Sequence, residues 1–335
     1  ALPCVRAPAY QLRLRSGICQ ARDDRQKMKE PCCLIDFTNL PTSNKLYAGA
    51  NGPKRAVIYQ GEKYLLKFPA ASSKNKNSSH ANSSIAEYIG CHIFNSVGIR
   101  AQETILGVYR KNGAEKIVVA CKDFTSPGVV LQDFASLKNS VIDSKHSCYS
   151  TELSDIIRVM EAQTAFPPAF LKRHFWNLFI IDALIGNENR SNENWGFLYN
   201  AATDEITIAP VYDCGSSLYP QADEAIMRNT LENQRQRDIQ TFSSPLSRIK
   251  INSQRINYFD FISSLKSTDC NEALKRILPR INMGEIFRIV DETPFISDLQ
   301  KQFYKAMLQT RKERILDFSL EKLRRRETAK ELDAR

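Results

Sequence analysis

Four separated stretches of the chain carry residue types suited to holding a triphosphate and its metal. The first is Gly49-Ala50-Asn51-Gly52-Pro53-Lys54, where small residues let backbone amides approach phosphate oxygens and a lysine supplies charge. Asn51-Gly52-Pro53 is equally an ordinary turn, and no Gly-Lys-Ser/Thr follows, so this is not a Walker loop. The second is Lys67, which closes the apolar run Tyr64-Leu65-Leu66. An ammonium in such a run needs a partner, because an unpaired buried charge is costly. Phosphate is one candidate and Glu87 another; alternatively the lysine snorkels from a sheet edge.

The third stretch is Gly186-Asn187-Glu188-Asn189-Arg190-Ser191-Asn192-Glu193-Asn194-Trp195-Gly196, directly after a long apolar segment. So many polar side chains beside an apolar helix suggest an active-site loop, although a solvated helix end would have a similar composition. The fourth is Ala209-Pro210-Val211-Tyr212-Asp213-Cys214-Gly215, in which a carboxylate ends a hydrophobic strand. Such an aspartate suits magnesium, which prefers oxygen ligands and bridges phosphates; an Asp capping a turn would look the same locally. Each stretch alone has a bland explanation. In this order they match what phosphoryl transfer from ATP requires, with a strand lysine clamped by a helix glutamate ahead of a metal-binding aspartate.

The surrounding elements are those needed to position these residues. Arg55 to Tyr59 and Lys63 to Phe68, split by Gln60-Gly61-Glu62, form a predicted hairpin. A Ser-, Asn- and Lys-rich stretch from Ala70 to Ser84 has too little apolar surface to order itself. It leads into a predicted helix over Ile85 to Ser96, with Ile85, Ile89, His92 and Ile93 at helical spacing. Strands are expected at Thr104 to Tyr109 and Lys116 to Ala120, joined through Asn112-Gly113. Ala169 to Ile185 is apolar nearly all round and is expected to be a central buried helix. A second hairpin is expected from Trp195 to Tyr199 and Glu205 to Val211, and helical spacing resumes from about Tyr258 with breaks at Pro279 and Pro294.

The resulting fold class is α+β: a bilobal, protein-kinase-like plan with a small, mainly β N-lobe carrying one key helix, and a larger, mainly helical C-lobe. Residues 1–31 are expected to be a loose extension, 32–124 the N-lobe, 125–326 the C-lobe and 327–335 a tail. A chain of 335 residues with 42% hydrophobic residues can bury a substantial core. No apolar run reaches the length of a transmembrane helix. The nine cysteines are scattered and never spaced Cys-x-x-Cys, which argues against a disulfide framework or zinc site and for a reducing compartment. The net charge of +10 favours acidic partners such as nucleotides or anionic surfaces.

Leu46–Lys54, Tyr64–Pro69, Ala86–Gly98 with Gln102-Glu103-Thr104, Val118–Phe124, Gly186–Phe197 and Ala209–Gln221 together resemble the HipA-like Ser/Thr kinases, and within them the compact CtkA-type branch. The resemblance runs from about Cys33 to Arg326. It implies that Gly49, Ala50, Asn51, Gly52 and Lys54 belong to a phosphate loop and that Lys67, steadied by Glu87, meets the α- and β-phosphates. Cys121, Lys122, Asp123 and Phe124 would form the adenine-facing hinge, and Asn194 and Asp213 would ligate Mg2+. It further implies ATP as cofactor, and a protein substrate, the chain's own Ser72–Ser84 included, or an antitoxin-like partner. No helix-turn-helix DNA reader is evident. The implied location is the bacterial cytoplasm, or a host cell that receives the protein as an effector.

One departure from the family pattern bears on catalysis. The family's loop reads Gly-Asn-x-Asp-Arg-His-x-x-Asn, and here the Asp position holds Asn189 and the His position Ser191. A neutral amide orients a hydroxyl but cannot take its proton. The expectation is therefore ATP binding with weakened transfer, Glu188 or Glu193 being candidate substitute bases, or a pseudokinase that binds nucleotide as a regulatory or interaction module. A lipid acceptor is a third alternative.

Overall fold

The computed structural model describes residues 35–45, 54–69, 82–141 and 150–333, with only the backbone of residues 139–141. The expected extension at 1–31, the loop residues Gly49, Ala50, Asn51 and Gly52, and the serine-rich stretch as far as residue 81 lie outside the described residues.

The N-terminal part is built on a four-stranded antiparallel sheet. Strands β1 (Lys54–Tyr59), β2 (Glu62–Lys67), β3 (Thr104–Lys111) and β4 (Ala114–Lys122) are arranged β1-β2-β4-β3. Both hairpin turns use left-handed residues, Gln60-Gly61 and Asn112-Gly113, as two-residue connections between twisted strands require. Period-two alternation assigns the faces. Tyr64, Leu66, Val118 and Ala120 pack with Phe37 and Val57 on one side. Leu65, Val119 and Cys121 face the other way, into the main core, where they meet Ile85, Ile89 and Ile93 of α1 (Ser83–Ser96). Lys67 shares the parity of Leu65 and therefore points toward α1.

After β4 the chain runs through Asp123–Ser126 into β5 (Val129–Asp133), the edge of a three-stranded antiparallel sheet with β6 (Gly196–Asn200) and β7 (Glu205–Ile208). The helical part follows. Helices α2 (Phe134–Val141) and α3 (Leu153–Ala162) precede α4 (Pro168–Ile185), in which every residue from Leu178 to Ile185 is buried. The expected central helix is thus present, and its C-terminus is closed by Gly186 in the left-handed conformation at φ 65°. Beyond β7 lie α5 (Glu224–Glu232), α6 (Gln234–Asp238), a hairpin of β8 (Leu246–Ile251) and β9 (Gln254–Asn257), and then α7 (Tyr258–Ser264), α8 (Thr268–Ile277), α9 (Met283–Glu292), α10 (Asp298–Arg311) and α11 (Phe318–Asp333). Of the strands, β5 and the β8–β9 hairpin are those that the sequence pattern did not announce. Among the described residues no helix is long and apolar enough to cross a membrane.

Candidate active site

The strand lysine, the helix glutamate and the loop aspartate meet in space. Lys67 Nζ lies 2.9 Å from Glu87 Oε1 and 3.1 Å from Asp213 Oδ1. The backbone N–H of Asp213 donates to the same Glu87 oxygen at 3.0 Å. Residues separated by up to 146 positions in sequence are therefore closed into one small ring of charge-assisted hydrogen bonds. Burial would lower the Lys67 pKa, but the Asp213 and Glu87 carboxylates outweigh it and hold it well above the usual lysine value. Burial likewise pushes against ionisation of Asp213, and the Lys67, Arg190 and Lys54 charges win and keep it below the usual range.

Close backbone approach makes this geometry possible. A Cβ on Gly90 would sit 2.7 Å from the Cβ of Cys214, so α1 presses directly on the residue after Asp213. Glu87 lies nearly one turn before Gly90 and is brought onto Lys67 and Asp213 by that contact. Asp213 itself has φ 59°, a left-handed conformation that asparagine and aspartate tolerate better than most residues. The segment that delivers it is tied to the N-terminal part through Gln102 N–H to Val211 O at 2.8 Å and Val211 N–H to Arg100 O at 2.9 Å.

Lys54 stands directly opposite Lys67 in the β1–β2 ladder. Burial, then the neighbouring Lys67 charge, lower its pKa below the ordinary lysine value. Two ammonium groups side by side are a feature that an anionic ligand would relieve.

The loop from Gly186 to Trp195 is organised by a pair that the sequence reading did not single out. Arg190 forks onto Asp182 of α4, Nε to Oδ2 at 3.0 Å and Nη2 to Oδ1 at 3.0 Å, with both side chains almost fully buried. Its Nη1 donates to the Asn194 carbonyl at 2.9 Å and the Tyr212 carbonyl at 2.5 Å. One guanidinium thereby ties the loop, the central helix and the strand before Asp213 together. A carboxylate in the middle of an otherwise apolar helix was the available signal, since Asp182 could not be buried there without a cation.

Within the loop, Asn194 Nδ2 donates to the Asn189 carbonyl at 2.7 Å, and the Asn189 N–H donates to Asn187 Oδ1 at 3.0 Å. Tyr212 Oη donates to the Glu193 carbonyl at 2.9 Å. Asn189, Glu188 and Ser191 are half-buried, whereas Glu193 is exposed. Oδ1 of Asn194 and Oδ2 of Asp213 carry no hydrogen bond among the described residues. One carboxylate and one amide oxygen suit magnesium, which takes few protein ligands and completes its shell from phosphates and water. No larger His/Cys/Asp/Glu cluster able to hold a metal occurs among the described residues.

At the expected hinge, much of the backbone is already engaged. Lys122 N–H donates to Glu103 O at 2.8 Å, Gln102 Nε2 donates to the Lys122 carbonyl at 2.9 Å, and Asp123 N–H donates to Lys63 O at 2.8 Å. The Cys121 thiol is fully buried in the core. Asp123 instead uses its side chain, pairing with Lys45 at 2.5 Å and capping Thr125 N–H at 2.9 Å. The backbone of Phe124 makes no hydrogen bond among the described residues, and its ring lies 5.8 Å from that of Tyr212.

Comparison with known proteins identifies the family and the fold. The model of the HipA-like C-terminal domain matches residues 45–283. The chain is 44% identical to the serine/threonine-protein kinase CtkA of Helicobacter pylori over 285 residues, covering 84% of this chain and 86% of the relative. The crystal structure of a proinflammatory kinase CtkA from the same species superposes with a TM-score of 0.80 at 43% identity, over 86% of this chain and 96% of that one. The HipA of Shewanella oneidensis, solved with HipB and operator DNA, shares the fold with a TM-score of 0.51 at 15% identity, over 84% of this chain and 67% of that one. On the family match and the CtkA identity together, the chain belongs to the HipA-like C-terminal domain family.

Proposed function

We propose that the protein binds Mg-ATP between its two lobes, with the hinge at Cys121–Phe124 as the boundary, and transfers the γ-phosphate slowly to a Ser or Thr hydroxyl of a protein. The observation that carries this is the Lys67 ammonium shared by Glu87 and Asp213. Lys67 would hold the α- and β-phosphates, with Glu87 fixing its direction and Lys54 across the ladder adding positive charge. Gly49, Ala50, Asn51 and Gly52 would close over the phosphates as backbone donors. Adenine would be met by the Phe124 backbone, which makes no hydrogen bond among the described residues. Asn194 and Asp213 would hold magnesium, which when bound neutralises the charge that builds on the phosphate oxygens.

The remaining roles fall to the loop. Arg190 keeps Asn189 and Asn194 in register with Asp213. Asn189 orients the acceptor hydroxyl but cannot accept its proton, so the step is left with positioning and charge stabilisation, without the gain of roughly 100-fold or more that a general base supplies. The acceptor is a protein, the chain's own Ser72–Ser84 stretch or a partner in the manner of an antitoxin. A reducing compartment is consistent with Cys91, Cys121, Cys214 and Cys270, all free thiols.

Transfer of labelled γ-phosphate, measured for the parent and for Asn189→Asp with magnesium present, tests the proposal. The expected result is slow transfer by the parent and an increase of about 100-fold in the variant. A silent parent with an active variant would make the natural chain a nucleotide-binding pseudokinase. Absence of transfer by both would overturn the phosphotransfer reading.

A further inference from the structure

The β8–β9 hairpin carries a charge arrangement that the nucleotide site does not use. Lys250 and Arg255 stand directly opposite each other in its ladder, and like charges in that position destabilise a hairpin. Ser247, Ile249 and Ile256 are buried, while Arg248 is exposed and Lys250 half-buried on the outward side of β8. None of Arg248, Lys250 and Arg255 forms an ion pair among the described residues. The neighbouring carboxylate, Glu152, bridges beside Lys250 but spends its Oε2 on the Ser253 N–H at 3.1 Å.

Arg255 also reaches the loop of the candidate active site. Its guanidinium is held by main-chain carbonyls alone, those of Leu246 at 2.6 Å, Ser247 at 2.8 Å and Glu188 at 2.5 Å. Glu188 immediately precedes Asn189, the position proposed to meet the acceptor hydroxyl. The unpaired cations are therefore continuous with the acceptor side of the site rather than with a distant surface.

We infer that the outward face of this hairpin docks the acceptor segment of a partner protein, and that this segment is acidic, with Asp or Glu side chains flanking the Ser or Thr to be modified; the chain's own Ser72–Ser84 stretch, which carries Lys74 and Lys76 and no Asp or Glu, does not fit this surface. This surface rests on the phosphotransfer reading for its role, and on charge complementarity and continuity with the loop for its occupant. Arg255, Lys250 and Arg248 would set the register of the bound segment, and their contribution would weaken with salt.

The test uses the full chain without nucleotide and measures binding of fluorescent serine-centred peptides by anisotropy, flanked either by Asp and Glu or by Lys and Arg. The acidic peptide is expected to bind about tenfold or more tightly than the basic one, and the preference to shrink as salt rises. The double variant Arg248→Glu, Lys250→Glu is expected to lose that preference. It should still fold, because a glutamate at 250 gains Arg255 as a cross-strand partner. Equal binding of both peptides by the parent, or unchanged acidic-peptide binding by the double variant, would overturn the inference. If Asn189→Asp phosphorylates basic-flanked serines in preference, the docking surface fails while phosphotransfer stands. If the acidic preference depends on charge as expected and neither parent nor Asn189→Asp transfers phosphate, the surface stands and the phosphotransfer reading fails.

Discussion

Lys67 lies where strand parity and helix register intersect, and its environment can be argued almost entirely from residue types. A lysine closing an apolar strand required a counter-charge, and Glu87 was the available carboxylate on the following helix; the observed separation is 2.9 Å. Asp182 and Arg190 obey the same rule with less warning, because their contact depends on how the chain turns at Gly186 rather than on any period. His174 is a further titrating group near this pair. Burial, with the Arg190 charge adding to it, lowers its pKa to about 4. The unfolded chain would take up a proton near the ordinary value of 6.5 that the folded chain refuses until about pH 4. Between these values the unfolded state binds more protons, so stability rises with pH through that window and is lost as pH falls through it. Acid-to-neutral denaturation curves should show on the order of 2 kcal/mol of such dependence. His174→Gln should flatten it; an unchanged slope would mean that His174 is not the group responsible.

Element geometry explains both what the sequence disclosed and what it withheld. The β1–β2 and β3–β4 hairpins, α1 and α4 were legible because turn residues or sustained apolar periods marked them, and each lies within a few residues of its expected limits. The β8–β9 hairpin was not legible. Its outward positions are cationic, its inward ones include Ser247, and a register shift between Leu246 and Lys250 breaks the alternation. Of the site, the Lys67, Glu87 and Asp213 meeting was anticipated by the order of motifs, whereas the contact of α1 with Cys214 could be known only from packing. That contact gives an element-scale test. In Gly90→Ala the added methyl would meet the Cys214 Cβ at 2.7 Å and push α1 outward. The expected cost is about 1–3 kcal/mol of stability by chemical denaturation, together with weaker ATP binding as Glu87 withdraws. A variant as stable as the parent with unaltered ATP affinity would show that α1 is not seated through Gly90.

At the scale of the molecule, the sheet and α1 supply the lysine and glutamate, the loop after α4 supplies the asparagine, and the segment after β7 that bridges back to Ala101 supplies the aspartate. The parts belong to different stretches of chain, so nucleotide binding and the relative placement of the lobes should be one property. A ligand that binds only the folded chain at a hundred times its dissociation constant adds about 2.7 kcal/mol of stability. Titration calorimetry of ATP into the parent, with and without magnesium, tests most directly whether Lys67, Asn194 and Asp213 hold one triphosphate and its metal. The account expects a single site whose affinity falls about tenfold or more when magnesium is left out. A cooperatively folded parent that gives no binding heat with ATP in either condition would contradict it.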